Sequence, residues 1–224
     1  LKTTDSDQSD GVAFTYKIAE ISGTDYGAFS INQATGELSL KDQPDYETKT
    51  SYGLTIISTD EGGKKYSKSF AISVTYTNDA PTVANAISDQ AIAEDNALSF
   101  QFASDVFVNV DVGDSLTYTA ALSNDAALPY WLSFDASART FSGTPANADV
   151  GSIDIKVTAT DGSATSVSDT FALAVTNTND APTVANAISD QTIAEDSALN
   201  FQFNSNVFAD VDAGDSFTYT ATLS

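Results

Sequence analysis

The sequence predicts an all-β chain of tandem antiparallel β-sandwiches, and three features carry that expectation. Short runs in which apolar and polar residues alternate, rich in Val, Ile, Thr, Phe and Tyr, recur along the chain with Gly, Asn and Asp between them. Strands divided by turn formers at roughly 8–12-residue spacing are the pattern of a sandwich, and no stretch has convincing helical periodicity. The second feature is the segment Asn78-Asp79-Ala80-Pro81-Thr82-Val83-Ala84-Asn85-Ala86-Ile87-Ser88-Asp89-Gln90, which returns unchanged 101 positions later as residues 179–191. Each copy follows an alternating run, so a strand ends, a polar pair and an Ala-Pro intervene, and a new domain begins. The third is the choice of acid: 25 Asp against six Glu. Asp is a poor former of helix and strand, a good turn residue and a good ligand for hard cations.

Composition narrows the class further. A 101-residue unit within 224 residues implies more than one domain, each large enough for its own core. An apolar content of 42% with thirteen Phe and nine Tyr argues against disorder. The net charge is −22 with only nine Lys+Arg, which excludes nucleic acid as a partner. Cys, Met and His are all absent, so an extracellular chain would need bound metal rather than disulfides for rigidity. Without His, most zinc sites and the usual general base are gone. No apolar run is long enough to span a bilayer. The chain starts at Leu1 without an initiator Met or a signal peptide, and is expected to be a piece of something longer.

Residues 1–79 read as a first domain with strands near 12–18, 28–32, 37–40, 51–57 and 66–76, the second and third divided by the turn signal Ala34-Thr35-Gly36. Within it Phe29-Ser30-Ile31-Asn32, Thr35-Gly36-Glu37-Leu38, Asp45-Tyr46-Glu47, Thr59-Asp60-Glu61-Gly62-Gly63 and Asn78-Asp79-Ala80-Pro81 follow in an order that resembles a cadherin repeat. The resemblance implies a Greek-key, cadherin/Ig-like sandwich, with calcium ligands at Asp5, Asp7, Asp45, Glu47, Asp60, Asn78 and Asp79. The family's first strand, with its calcium-binding Glu, would precede Leu1.

Residues 80–180 read as the one complete unit, with strands near 97–102, 115–121, 140–142, 152–160 and 170–175. Leu128-Pro129-Tyr130-Trp131-Leu132-Ser133-Phe134-Asp135 followed by Phe141-Ser142-Gly143-Thr144-Pro145 resembles the dystroglycan-type cadherin-like domain of large RTX-type bacterial surface adhesins. Gly143-Thr144-Pro145 stands where the Asp-x-Glu would be, so fewer carboxylates are expected at the junction below this domain than above it. Residues 181–224 repeat 80–123 with few changes and carry two strands. One change is chemical: Asn109-x-Asp111-x-x-Asp114 becomes Asp210-x-Asp212-x-x-Asp215. Two strands cannot bury a core. Truncation of a longer array and strand exchange with another copy both account for the incomplete ends.

The resemblance implies that the first junction gathers Asp45, Glu47, Asn78, Asp79, Asn109, Asp111 and Asp161, and that the second gathers Glu94, Asn179, Asp180, Asp210 and Asp212. Asp5, Asp7 and Asp60 would face a preceding domain, and Glu195 a following one. Clustered carboxylates repel unless a cation sits among them, so calcium would turn flexible beads into an elongated rod. The expected function is that of calcium-rigidified extender and adhesion repeats at the bacterial cell surface, with neighbouring repeats and another copy of the chain as the expected contacts. A carbohydrate-binding module using Trp131 and Tyr130 on polysaccharide, and a fibre subunit assembled by strand exchange, are the alternatives. No nucleophile, base and orienting group can be assembled, so an enzyme is not expected. Asp89, Asp135 and Asp190 are expected to be turn or cap residues.

Overall fold

The computed structural model describes residues 14–222, and it divides into two units. Of the described residues, the first unit comprises those up to Asp79 together with Val110–Gly113, and the second Ala80–Asn109 with those from Asp114 onward. Among the described residues both are all-β, with only two single-turn 3-10 segments, Tyr26–Ala28 and Asn147–Asp149.

In the first unit β1 (Thr15–Ile18), β4 (Ser51–Thr59) and β5 (Lys65–Ser73) form one antiparallel sheet, while β2 (Phe29–Ile31) and β3 (Leu38–Leu40) form a hairpin. Alternation places Leu54, Ile56 and Ser58 inward and their neighbours outward, as period-two geometry requires. The hairpin turn is held by Asn32, whose Oδ1 accepts from the Ala34 and Thr35 N–H groups. Gly36 sits there at φ +73, where a Cβ would also press on the Tyr16 ring at 3.2 Å. Phe29 meets Tyr52 edge to face at 5.4 Å.

In the second unit β6 (Thr82–Val83), β7 (Gln90–Ala93), β8 (Leu98–Gln101), β9 (Phe107–Val108), β10 (Thr117–Leu122), β11 (Leu132–Asp135), β12 (Thr140–Gly143), β13 (Gly151–Thr160) and β14 (Ser166–Thr176) build the complete sandwich. One sheet has the order β10-β13-β14-β7 and the other β11-β12-β8. Every ladder is antiparallel except β14 with β7, where Leu173 to Thr176 run parallel to Gln90 to Ala93. Phe141, Ile155, Val157, Phe171 and Leu173 pack in the core between the sheets, and Phe134 lies 4.6 Å from Phe141 by ring centroid. Trp131 is in this core at 9% exposure, leaving Tyr130 outside, so the two do not form a shared stacking platform.

The third copy differs from its expectation. Residues 181–222 form only β15 (Thr183–Val184) and β16 (Phe208–Ala209), which pair as β6 does with β9. Its counterparts of β7, β8 and β10 are not strands among the described residues. In the second repeat those strands pair with β14, β12 and β13, whose counterparts do not occur within residues 181–222. The β6–β9 pair closes within a single stretch of chain and so survives. A small aromatic cluster also persists, with Phe203 5.1 Å from Tyr219, while Leu199 and Phe201 remain exposed.

Gly143 lies against backbone: a Cβ there would stand 1.8 Å from the Trp131 carbonyl oxygen. Gly143→Ala is therefore expected to destabilise the second repeat by about 1–3 kcal/mol. Phe141→Ala, which leaves a cavity, is expected to cost about 3–5 kcal/mol. Urea unfolding followed by Trp131 fluorescence measures both; a wild-type midpoint for Gly143→Ala would contradict the close approach.

Candidate metal centres

Two acidic centres share one plan. In the first, residues Asp45 to Lys49 form a tight turn before β4. Asp45 caps that turn, accepting at Oδ1 from the Glu47 and Thr48 N–H groups and at Oδ2 from the Thr48 hydroxyl. Glu47 is thereby set beside Asp79 and Asp111, and carboxylate oxygens of these three lie within 4.8 Å of one another. The backbone N–H of Asp79 donates to Asp111 Oδ2 at 3.0 Å, and Asp111 is only 5% exposed. Asn78 turns its amide back to the Asp79 carbonyl, which fixes the linker locally.

The second centre repeats the arrangement 101 residues on. Asp180 N–H donates to Asp212 Oδ2 at 2.6 Å, Asn179 binds the Asp180 carbonyl, and Asp212 is 6% exposed. Carboxylate oxygens of Asp210, Asp212 and Asp215 lie within 4.8 Å of one another. Glu94 joins from the end of β7. Its own N–H continues the parallel ladder to the Thr176 carbonyl, and its Oε1 accepts from Thr178 N–H at 2.9 Å. Glu94 is 1% exposed, and its Oε2 has no hydrogen-bond partner among the described residues. A buried carboxylate oxygen left so is unfavourable by about 1–3 kcal/mol or more, which an electropositive neighbour would offset.

Crowding shows in the acidities. The Glu47 carboxyl is raised above its ordinary value by partial burial and by the charges of Asp111, Asp79 and Asp45. Asp180 is raised by burial and then by Asp212, Asp95, Glu94 and Asp210. Asp45 is lowered by the Thr48 hydroxyl and then by backbone N–H bonds. Donor sets made of carboxylate and amide oxygen, with neither His nor Cys, suit a hard divalent cation.

The predicted site residues divide accordingly. Glu47, Asp79 and Asp111 come together in the first unit, and Glu94, Asp180, Asp210 and Asp212 in the second. Asp45, Asp60 and Asp161 serve as loop caps: Asp60 Oδ1 accepts from Lys64 N–H, and Asp161 from Ser163 and Thr165 N–H and the Thr165 hydroxyl. Asn109 donates to Asp114 in the second unit. Glu195 is exposed, and Asp5 and Asp7 lie outside the described residues. Asp135 is a turn residue as expected, accepting from Ser137 and Ala138 N–H, whereas Asp89 accepts from Ala172 N–H on β14, 83 residues away, and is not a local cap. Asp95 and Asp215 were not among the predicted ligands. Asp215 was legible in the Asp-x-Asp-x-x-Asp motif, whereas Asp95 needs the left-handed turn (φ 59) that follows Glu94. The Asp-x-Glu was expected to be replaced at about Gly143-Thr144-Pro145; the 101-residue offset instead sets Ala146 and Ala148 against Asp45 and Glu47, and Asp95 stands with Asp210 beside Asp180.

A cadherin-domain family model matches residues 1–77, and a model described as "Putative Ig domain" matches residues 80–176. Mouse cadherin-23 is 33% identical over 122 residues, 53% of this chain. The Drosophila melanogaster protocadherin-like wing polarity protein stan is 31% identical over 142 residues, 62% of it. The chain spans about 4% of the length of these curated relatives. Among solved structures, mouse cadherin-23 EC22-24 superposes with a TM-score of 0.50 at 21% identity, covering 74% of this chain and 53% of the other. Human protocadherin-24 EC1-2 gives 0.51 at 18%, covering 76% and 85%. Residues 1–77 are thus similar in sequence to a cadherin domain and residues 80–176 to an Ig-like one; the structural likeness speaks for the fold.

The raised pKa values of Glu47 and Asp180 define a pH test. Glu47 and Asp180 hold their protons more tightly folded than unfolded, so their contribution stabilises the cation-free chain below the ordinary carboxylate range. It is lost as pH rises through their folded-state values. Asp45 and Asp135, both lowered, work the other way, losing their contribution as pH falls. In chelator, Glu47→Gln or Asp180→Asn should therefore raise the melting temperature at neutral pH. The gain should vanish as pH falls below the ordinary carboxylate range, where these groups are protonated in folded and unfolded chain alike. Unchanged melting at neutral pH would remove the repulsion account.

Proposed function

We propose that this chain comprises calcium-rigidified extender and adhesion repeats of a large extracellular surface protein. The observation that carries the reading is the recurrence of one acidic centre 101 residues apart. In each, the linker aspartate's N–H is fastened to the buried carboxylate of a loop aspartate. The cadherin match over residues 1–77 supports the same reading, and the dystroglycan-type motifs of the second repeat support a bacterial, RTX-type adhesin as its source.

Glu47, Asp79 and Asp111 would hold the cation in the first centre, and Glu94, Asp180, Asp210 and Asp212 in the second. Calcium supplies the positive charge that these oxygens lack, and accepts six to eight of them at roughly 2.3–2.6 Å. The chain's own contribution is orientation. The N–H of Asp79 or Asp180 pins the loop aspartate, and the strand ends deliver the remaining acids to it. Because Glu94, Asp180 and Asp212 come from distant points in the sequence, binding them to one ion restricts the linker that joins successive repeats.

Calcium titration by calorimetry, with small-angle scattering, tests the function. Binding is expected with dissociation constants of about 10⁻⁴–10⁻³ M, the range of extracellular modules. A rise in melting temperature with calcium concentration and a longer, less variable particle should accompany it. Asp111→Asn should weaken the first centre and Asp212→Asn the second. Identical melting and scattering in chelator and in millimolar calcium would overturn the proposal.

A further inference from the structure

The repeat allows the two centres to be compared position by position. The 101-residue offset holds through the loop preceding each long strand: Pro44 corresponds to Pro145, Ser51 to Ser152, and Asp60 to Asp161. Under that correspondence Asp45 and Glu47 become Ala146 and Ala148, so the second centre loses both carboxylates of that loop. Two other positions change in company. Tyr46 and Tyr76 stack edge to face with ring centroids 5.5 Å apart; their counterparts are Asn147 and Asn177. These amides are joined by a bond from Asn147 Nδ2 to Asn177 Oδ1 of 3.4 Å. Asn147 Nδ2 also reaches Asp212 Oδ1 at 3.3 Å, the oxygen left over after Asp180 N–H has taken Oδ2.

We propose that Asn147 is a calcium ligand of the second centre, its Oδ1 supplying the neutral oxygen that replaces the missing Asp-x-Glu carboxylates, with Asn177 steadying it. The inference rests on the calcium reading above and adds a residue to it. Beside carboxylates alone, an amide turns its NH2 group toward them. A half-turn about its last torsion brings Oδ1 to the same place, and that torsion is soft and two-fold. A neutral ligand suits this centre, because Glu94, Asp95, Asp180, Asp210 and Asp212 already crowd it. A further carboxylate from the loop would add to the repulsion among them. The buried, unpartnered Glu94 Oε2 is an independent sign that a cation belongs here.

The test is calorimetric titration of the whole chain with calcium chloride, after chelator treatment, on wild type, Asn147→Ala, Asn147→Asp and Glu47→Ala. Melting in chelator establishes that each variant is folded. Asn147→Ala should weaken one class of site about tenfold and leave intact the class that Glu47→Ala weakens. Asn147→Asp, which keeps an oxygen in place, should retain binding. A calcium isotherm for Asn147→Ala that superimposes on wild type overturns the assignment. So does an Asn147→Asp variant as weak as Asn147→Ala, since the N–H donor to Asp212 would then be the working group. A wild-type chain that takes up no calcium would overturn the calcium reading, and this assignment with it.

Discussion

Like charges brought together out of water must be held by something, and this molecule holds them with its backbone. At each linker an aspartate N–H binds the carboxylate of a loop aspartate that is almost wholly buried. That single bond sets where the linker turns and which oxygens remain to face one another. It also concentrates acids where solvent cannot fully screen them, which is why Glu47 and Asp180 hold their protons unusually tightly. A cation is the natural complement of such an arrangement, and the aromatic core supplies the rigidity against which the acids are gathered.

Residues 181–222 nearly duplicate the start of the second repeat, yet only the Thr183–Val184 and Phe208–Ala209 pair is formed. Alternation of apolar and polar side chains marks a segment as suited to a sheet. It does not provide the neighbouring N–H and C=O groups that make it a strand. Leu98–Gln101 is a strand because Thr140–Gly143 lies beside it; the matching residues of the third copy have no such neighbour among the described residues.

The two centres also show how a repeat diverges while its plan is kept. Loss of Asp45 and Glu47 at Ala146 and Ala148 coincides with exchange of a tyrosine pair for an asparagine pair, and of Asn109 for Asp210. The changes are spread over three separate stretches of sequence and meet only in the folded chain. Gly143, which begins the altered loop, admits no side chain because the Trp131 carbonyl occupies that space. The loop's course is therefore tied to core packing as well as to the acids it carries.

The amino-acid sequence by itself determined the all-β class, the repeat period and most strands of the first two repeats. Each of these depends on interactions between near neighbours: alternation, turn residues such as Asn32 and Gly36, and the stiffness of Ala-Pro. It also picked out Glu47, Asp79, Asp111, Glu94, Asp180, Asp210 and Asp212, through their motifs. Only the tertiary structure decided which of the acids also cap loops and how deeply each is buried. Asp45 and Asp161 spend their oxygens on nearby N–H groups, whereas Glu94 is buried against Thr178, 84 residues away. Asp95 and Asn147 enter the second centre for the same reason. Burial and hydrogen-bond choice are set by what the fold brings alongside a residue, and local sequence carries no record of that neighbour.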